Sequence, residues 1–179
     1  FPAYAKLFVK PGWRLLVLTK SSCPMVDAPF FYARIDREFS ECDQWRSTAL
    51  VQVAALKPDV VIIGSTYTTQ FSKTQWIDGT ARVLKALAAA SGHVYIMRST
   101  PVLPFNGPSC LAPRSWLYDV FARKTQCTVP AHDASSDAVF HWLSDAARQF
   151  GNVSTVDMTD TICPDTICSA ERDGQIVFR

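Results

Sequence analysis

Pro58-Asp-Val-Val-Ile-Ile-Gly-Ser-Thr-Tyr67 decides the fold. Asp59 to Ile63 is a short β-branched run, preceded by a proline and ended by Gly64. It is too short for a helix and reads as a strand buried on both faces. A helical pattern lies on each side, over Glu41–Leu56 and over Lys73–Ala90. A strand between two helices is the repeating unit of a parallel α/β sheet. Ligands of such sheets sit beyond the carboxyl ends of the strands. Gly64, Ser65, Thr66 and Tyr67 stand at that edge and are the first candidates for a cleft wall.

The chain has 179 residues, which suits one domain with a sizeable core. It is 48% apolar and 19% charged, the balance of a globular chain rather than a disordered one. A net charge of +2 without a basic run argues against nucleic acid as a partner. No window approaches 18 apolar residues, so no spanning helix is expected. Phe1 opens the chain without a charged n-region or a cleavage site, so no signal peptide is expected.

The six cysteines fall as three local pairs, Cys23 with Cys42, Cys110 with Cys127 and Cys163 with Cys168. Each pair brackets one loop. Buried free thiols and a metal site are the competing readings. The close pair Cys163 and Cys168 has neither a histidine nor a second close pair beside it, which argues against zinc. An even count lying in loops favours three disulfides and an oxidising compartment.

Taken in order, Phe1–Lys10 has helical apolar spacing and Trp13–Thr19 reads as a strand. Residues 23–40 form a long loop that carries Phe30, Phe31 and Tyr32. On the helix over Glu41–Leu56, capped by Ser40, the apolar face is Trp45, Ala49, Val53 and Leu56. On the helix over Lys73–Ala90, capped by Ser72, it is Ile77, Ala81, Leu84 and Ala88. Gly92 reads as the glycine that ends that helix. His93–Arg98 and Val153–Met158 are further strands. A short helix is expected over Ser115–Arg123 and a longer one over Ser135–Phe150, with Val139, Leu143, Ala146 and Phe150 inward. Thr159–Arg172 reads as a polar loop, followed by a turn at Asp173-Gly174 and a short strand over Gln175–Phe178.

The blocks Gly12 to Pro24, Pro58 to Gly64, Ser99-Thr-Pro101 with Pro108-Ser-Cys-Leu111, and Cys163 to Cys168 with Asp173-Gly174 occur in a telling order. Together with the cysteine pairs, they resemble the SGNH hydrolase-like domain of bacterial membrane O-acyltransferases of the acyltransferase family 3 type. The likeness covers nearly the whole chain, residues 1–179. It implies a three-layer α/β/α domain of flavodoxin-like strand order with a parallel sheet. In that family the nucleophilic serine lies in a Gly-Asp-Ser-His block before the first helix, and the other two catalytic residues in an Asp-x-x-His segment near the end. Neither motif occurs in this sequence. The resemblance therefore implies a domain lacking its first strand and C-terminal helix, with the catalytic serine before Phe1 and the aspartate and histidine after Arg179. The family's Gly-x-Asn-Asp loop, which helps bind the oxyanion, falls on Gly64 to Tyr67. Gly64 fits, but Thr66 replaces the asparagine and its hydroxyl reaches less far than an amide.

Acyl transfer needs a nucleophile, a base, an orienter and oxyanion donors. Ser65 with the adjacent His132-Asp133 is the one triad that this chain could supply itself. Neighbouring loop side chains do not naturally orient one another, and Ser65 lies in no Gly-x-Ser-x-Gly elbow. His132 is nevertheless the histidine expected near the cleft, whereas His93 begins a strand and His141 faces solvent. Arg98, at a strand end, is either a functional residue or one half of a salt bridge. Phe30, Phe31 and Tyr32 either stack on a sugar or acyl chain or fold back onto the core, and folding back is favoured. Asn152-Val-Ser154 matches a glycosylation sequon but falls at a strand start and is discounted.

The resemblance implies an extracytoplasmic domain that passes an acyl group, acetyl by expectation, to a hydroxyl of a cell-surface glycan through a serine acyl-enzyme. The donor would come from a fused or partner membrane domain, which would also anchor it. No cofactor or metal is called for. An SGNH esterase and a non-catalytic glycan- or partner-binding domain are the alternatives.

Overall fold

The computed structural model describes residues 11–64, 70–112 and 127–177. Expectations for Phe1–Lys10, Ser65–Tyr67 and Ser115–Arg123 lie outside the described residues. The chain builds a two-stranded hairpin of β1 (Phe31–Tyr32) and β2 (Arg37–Glu38), then α1 (Ser40–Leu56), β3 (Val60–Gly64), α2 (Lys73–Ala90) and β4 (His93–Met97). A short α3 (Gly107–Leu111), β5 (Thr128–Pro130), α4 (Ala134–Ala147) and β6 (Val153–Val156) follow. The end is a compact polar region of α5 (Thr159–Ile162), a 3-10 turn (Pro164–Thr166), β7 (Ile167–Ser169), β8 (Glu171–Arg172) and β9 (Gln175–Ile176).

The central sheet runs β3-β4-β6, all parallel. Gly64 lies opposite Met97, and Met97 opposite Val156, so the three carboxyl ends are level. Both crossovers step across the sheet in one direction. Right-handed connections then place α2 and α4 on the same face. Strand alternation follows suit. Val61, Ile63, Val94 and Ile96 face a core shared with Trp76, Val83, Leu84, Leu87, Leu143 and Ala146. Val60 and Ile62 point the other way and are 46% and 54% exposed. The expectation that the Asp59–Ile63 run is buried on both faces is therefore not met among the described residues.

Trp13–Thr19 forms no strand. A strand exists only where a neighbour completes its hydrogen bonds, and among the described residues none flanks this segment. Trp13, Leu15, Leu16 and Val17 are correspondingly exposed. The apolar faces of the two long helices follow the sequence reading in part: Ala49 and Leu84 are buried and Val53 and Ala81 pack on the core, but the most buried stripes are centred elsewhere. In α1 the buried residues are Cys42, Arg46 and Ala49, and Leu56 is exposed. Ser40 is the first helical residue. Phe39 takes the cap position without a side-chain bond. In α2 the buried stripe is Trp76, Thr80, Val83, Leu84 and Leu87. Ser72 does cap α2, in a reciprocal capping box with Gln75. The face expected for the Ser135–Phe150 helix holds, with Val139, Leu143 and Ala146 buried.

Two glycines are fixed by contact. A Cβ on Gly92 would lie 2.6 Å from the Asp59 carbonyl oxygen, so Gly92 lets the α2–β4 turn pass against the start of β3. Its backbone is not left-handed, contrary to the helix-ending role expected of it. A Cβ on Gly79 would meet Val26 Cγ1 at 2.6 Å and the Asp27 carbonyl oxygen at 3.0 Å. Gly79 thus sacrifices about 1 kcal/mol of helix propensity so that the long loop can lie on α2. Asp27 N donates to the Gly79 carbonyl at 3.2 Å across that contact. In the same loop Phe30 folds back into the core against Phe71, while Phe31 stays exposed.

At the amino end of the sheet, Asn152 Nδ2 donates to the carbonyls of Ala88, Ser91 and Gly92, at 3.0, 3.2 and 3.3 Å. It thereby satisfies carbonyls that the end of α2 leaves open. His93 Nε2 lies 3.0 Å from Ser154 Oγ. The Thr159–Arg172 stretch, expected to be loop, pairs β7 antiparallel with β5. The Asp173-Gly174 turn joins β8 to β9 with positive φ at both residues, the geometry of a tight hairpin.

Candidate functional site

Three disulfides are closed: Cys23–Cys42, Cys110–Cys127 and Cys163–Cys168, with Cα separations of 5.3, 5.9 and 4.4 Å. The first ties the long loop to α1 beside the carboxyl edge of the sheet. The third, with Ala131, Val129 and Ile162, forms a small core of its own that holds β5 and β7.

At the carboxyl edge, Met25, Gly64, Met97, Trp76, Thr80 and Leu143 are among the residues around an apolar hollow. Its free volume of about 10 Å³ is at most that of a single water. Among the described residues, Trp76 Nε1 and Thr80 Oγ1 are buried without a hydrogen-bond partner. Gly64 closes β3 and faces this hollow. Ser65, Thr66 and Tyr67 lie outside the described residues. Lys20 Nζ lies over the Phe39 ring and Ser22 Oγ donates to Tyr32 Oη, so the segment after Thr19 rests against the hairpin and its flank.

Beside the hollow is a charged cluster centred on Arg98, the residue after β4. Its amide donates to the Val156 carbonyl and so extends the ladder by one bond. Because β4 and β6 are in register, Asp157 follows β6 directly alongside. Arg98 Nη1 donates to Asp157 Oδ2 at 2.9 Å, and Nη2 donates to Asp137 Oδ1. The guanidinium lies 5.3 Å from the Phe140 ring centroid. Its side chain is only 7% exposed. The salt bridge that the sequence reading allowed is present: both ends of the fork are engaged, and among the described residues Nε is buried without a partner.

Asp137 lies in the first turn of α4, where the helix end favours a carboxylate. Burial works against its charge, but hydrogen bonds from Arg98 and His132 outweigh burial and hold its pKa below the usual carboxylate range. Asp157 is likewise lowered: burial opposes ionisation, and bonds from the Thr159 hydroxyl and amide, then from Arg98, prevail. For Arg98, burial disfavours the cation, yet Asp157 and Asp137 raise its pKa.

His132 Nδ1 lies 3.2 Å from Asp137 Oδ1 and 3.4 Å from Arg98 Nη2. The carboxylate is the closer partner and favours a proton on Nδ1, which leaves Nε2 as the basic nitrogen. Asp133, its sequence neighbour, is not its partner. The Asp133 carboxylate caps α4 by accepting from the amides of Ser135 and Ser136. The carboxylate that His132 meets is Asp137, while Asp133 Oδ1 serves the helix cap. Asp137 and Asp157 were not singled out from sequence. The available signals were an aspartate directly after a strand and one in a helix first turn, at the end where parallel strands converge.

A family model described as "SGNH domain (fused to AT3 domains)" matches residues 1–179. Comparison with curated protein sequences gives no match. Among solved structures, the periplasmic domain of a Salmonella ser. Paratyphi A lipopolysaccharide acetyltransferase superposes with a TM-score of 0.55. The identity is 14%, over 87% of this chain and 58% of that one, so the likeness establishes the fold. The level carboxyl ends, the right-handed crossovers and a match that runs from the first residue to the last lead to one assignment: the chain belongs to the family of SGNH domains fused to AT3 domains.

Proposed function

We propose that this chain is the extracytoplasmic part of an O-acyltransferase that places a short acyl group, acetyl by preference, on a hydroxyl of a cell-surface glycan. The family match along all 179 residues carries the reading. It is supported by a fold shared with a periplasmic domain of a lipopolysaccharide acetyltransferase. In this reading the AT3 membrane part delivers the acyl group and anchors the domain. A serine acyl-enzyme hands the group on, without metal.

The Gly-Asp-Ser and Asp-x-x-His motifs do not occur in the sequence. These residues therefore contribute the wall of the site rather than its nucleophile. In this reading, by the resemblance, the Gly64 amide would serve as the family's oxyanion glycine, with Thr66 at the asparagine's position in the sequence. Arg98, Asp137 and Asp157 tie β4, α4 and β6 together at the rim and keep the edge in one shape.

The test uses the full-length protein in membranes, with surface glycan as acceptor and its acylation followed by mass spectrometry. Acyl gain that depends on a supplied donor is the expected result. Acyl loss from a pre-acylated glycan, independent of donor, would instead identify an esterase. Glycan retention with neither reaction would identify a binding module.

A further inference from the structure

We infer that the Cys23–Cys42 disulfide is a directional thiol-exchange site, attacked at Cys23 and released at Cys42, with Arg46 as the residue that sets the direction. The two sulfurs differ in access and in charge. Cys42 is fully buried and Cys23 is half-buried, so an external thiol reaches Cys23 Sγ first. Arg46, one turn along α1, is 3% exposed and donates from Nη2 to Cys42 Sγ at 3.2 Å. The same nitrogen donates to the Pro24 carbonyl at 3.3 Å. A guanidinium on a sulfur stabilises that sulfur as a thiolate, and a stabilised thiolate is the better leaving group.

The step is a two-stage exchange. An external thiolate attacks Cys23 Sγ and forms a new S–S bond there. The Cys23–Cys42 bond breaks, and its electron pair leaves on Cys42 Sγ beside Arg46. A second external thiolate then attacks the sulfur of the first external thiol. This releases an external disulfide and Cys23 as a thiolate, so the protein is reduced by two electrons and the thiol pair is oxidised by two. The chemical class of the partner is a thiol or dithiol reductant.

Other charges near the sulfur leave the guanidinium in place to act. Asp43, on α1, accepts from Arg46 Nη1 at 2.8 Å, and Asp27, from the long loop, lies 3.9 Å from it. Asp27 is itself engaged by Arg82 of α2, at 2.6 Å. Both carboxylates are engaged by arginines, Asp43 by Arg46 and Asp27 by Arg82. The other disulfides differ. Cys163 and Cys168 are both fully buried, and Cys110 and Cys127 are both half-buried, which gives neither pair this asymmetry. Opening Cys23–Cys42 would free the loop that carries Met25 to the hollow and Phe30 to the core, so the exchange would act on the carboxyl edge.

The experiment is limited exposure of the full-length protein to reduced glutathione, followed by acid quench, alkylation and peptide mass spectrometry. The expected product carries glutathione on Cys23 and the alkyl label on Cys42, in at least tenfold excess over the reverse isomer. Arg46→Met should slow formation of that adduct about tenfold, and Arg46→Lys, which keeps a charge, should restore part of the rate. Glutathione found equally on both cysteines of the wild-type protein, or mainly on Cys42, would overturn the inference without recourse to any variant. So would an Arg46→Met protein that folds and exchanges at the wild-type rate.

Discussion

Arg98 and Arg46 are both nearly buried, each has two carboxylates within reach, and among the described residues each has an Nε without a partner. Their surroundings differ. Arg98 joins carboxylates from two separate elements, one after β6 and one on α4, and so closes a junction between distant parts of the chain. Arg46 takes its nearest carboxylate from its own helix, three residues back, and gives its other nitrogen to a carbonyl and a sulfur. A buried arginine at a junction holds tertiary structure. A buried arginine facing a sulfur tunes chemistry and is expected to contribute less to the fold. Removing one partner of a buried pair leaves the other uncompensated, and that asymmetry sets the size of the effects below.

The sharpest way to break this comparison is Arg98→Met. It strands two carboxylates at the sheet edge and should cost about 3 kcal/mol in chemical denaturation, somewhat less than for a fully buried pair because both aspartates are 35% exposed. Next is Gly79→Ala. In an isolated helix it would stabilise by about 1 kcal/mol. Here the new methyl drives into Val26 and the Asp27 backbone, and a net loss of about 2 kcal/mol is expected. Arg46→Met should lose only about 1 kcal/mol, since Asp43 is 47% exposed and Asp27 keeps Arg82. Equal losses for the two arginine variants, measured side by side, would dissolve the distinction.

Acid titration sharpens the same contrast. Asp137 and Asp157 have folded pKa values lowered from the ordinary carboxylate value. Their contribution is therefore fully present above that ordinary value and is lost as pH falls through the lowered ones. Denaturation midpoints should drop steeply below about pH 4, and Asp157→Asn should flatten the slope. The smallest effect belongs to His132→Gln. Its side chain is 41% exposed, so a change within about 0.5 kcal/mol is expected. A loss as large as that of Arg98→Met would make His132 part of the junction rather than its rim.

Much of the architecture was legible in the sequence. The β-branched run at Val60–Ile63, the helix over Lys73–Ala90 and the turn at Asp173-Gly174 each carry a local signal that tertiary contacts reinforce. The inward faces were less legible for a physical reason. α2 has alanine or leucine on nearly every side, so periodicity alone could not choose between Ile77 and Trp76 as the inward residue. α1 buries an arginine, which any apolar pattern assigns to solvent. Trp13–Thr19 shows the opposite failure: its composition suits a strand, but a ladder depends on a neighbour that composition cannot report. At the candidate site, Arg98 and Gly64 were visible because strand ends are visible. The partner of His132 was not. Adjacency suggested Asp133, whereas the helix start uses Asp133 as its cap and brings Asp137 round by one turn.

Asn152 has a consequence for how the protein can be produced. Its Nδ2, the nitrogen to which an oligosaccharide transferase would attach sugar in the sequon Asn152-Val-Ser154, is the atom that donates to the carbonyls of Ala88, Ser91 and Gly92. Ser154, which completes the sequon, lies 3.0 Å through its hydroxyl from His93. Once the fold has formed, the sequon is closed to modification. In a eukaryotic secretory host, a glycan added during translocation, before α2 and β6 meet, would occupy the position of those carbonyls and hold the sheet open. A bacterial host or an Asn152→Asp template would escape the glycan, but the aspartate would put a second acceptor against three others. For secretion in yeast or mammalian cells, Ser154→Ala is the better choice, because it removes the sequon and keeps the amide.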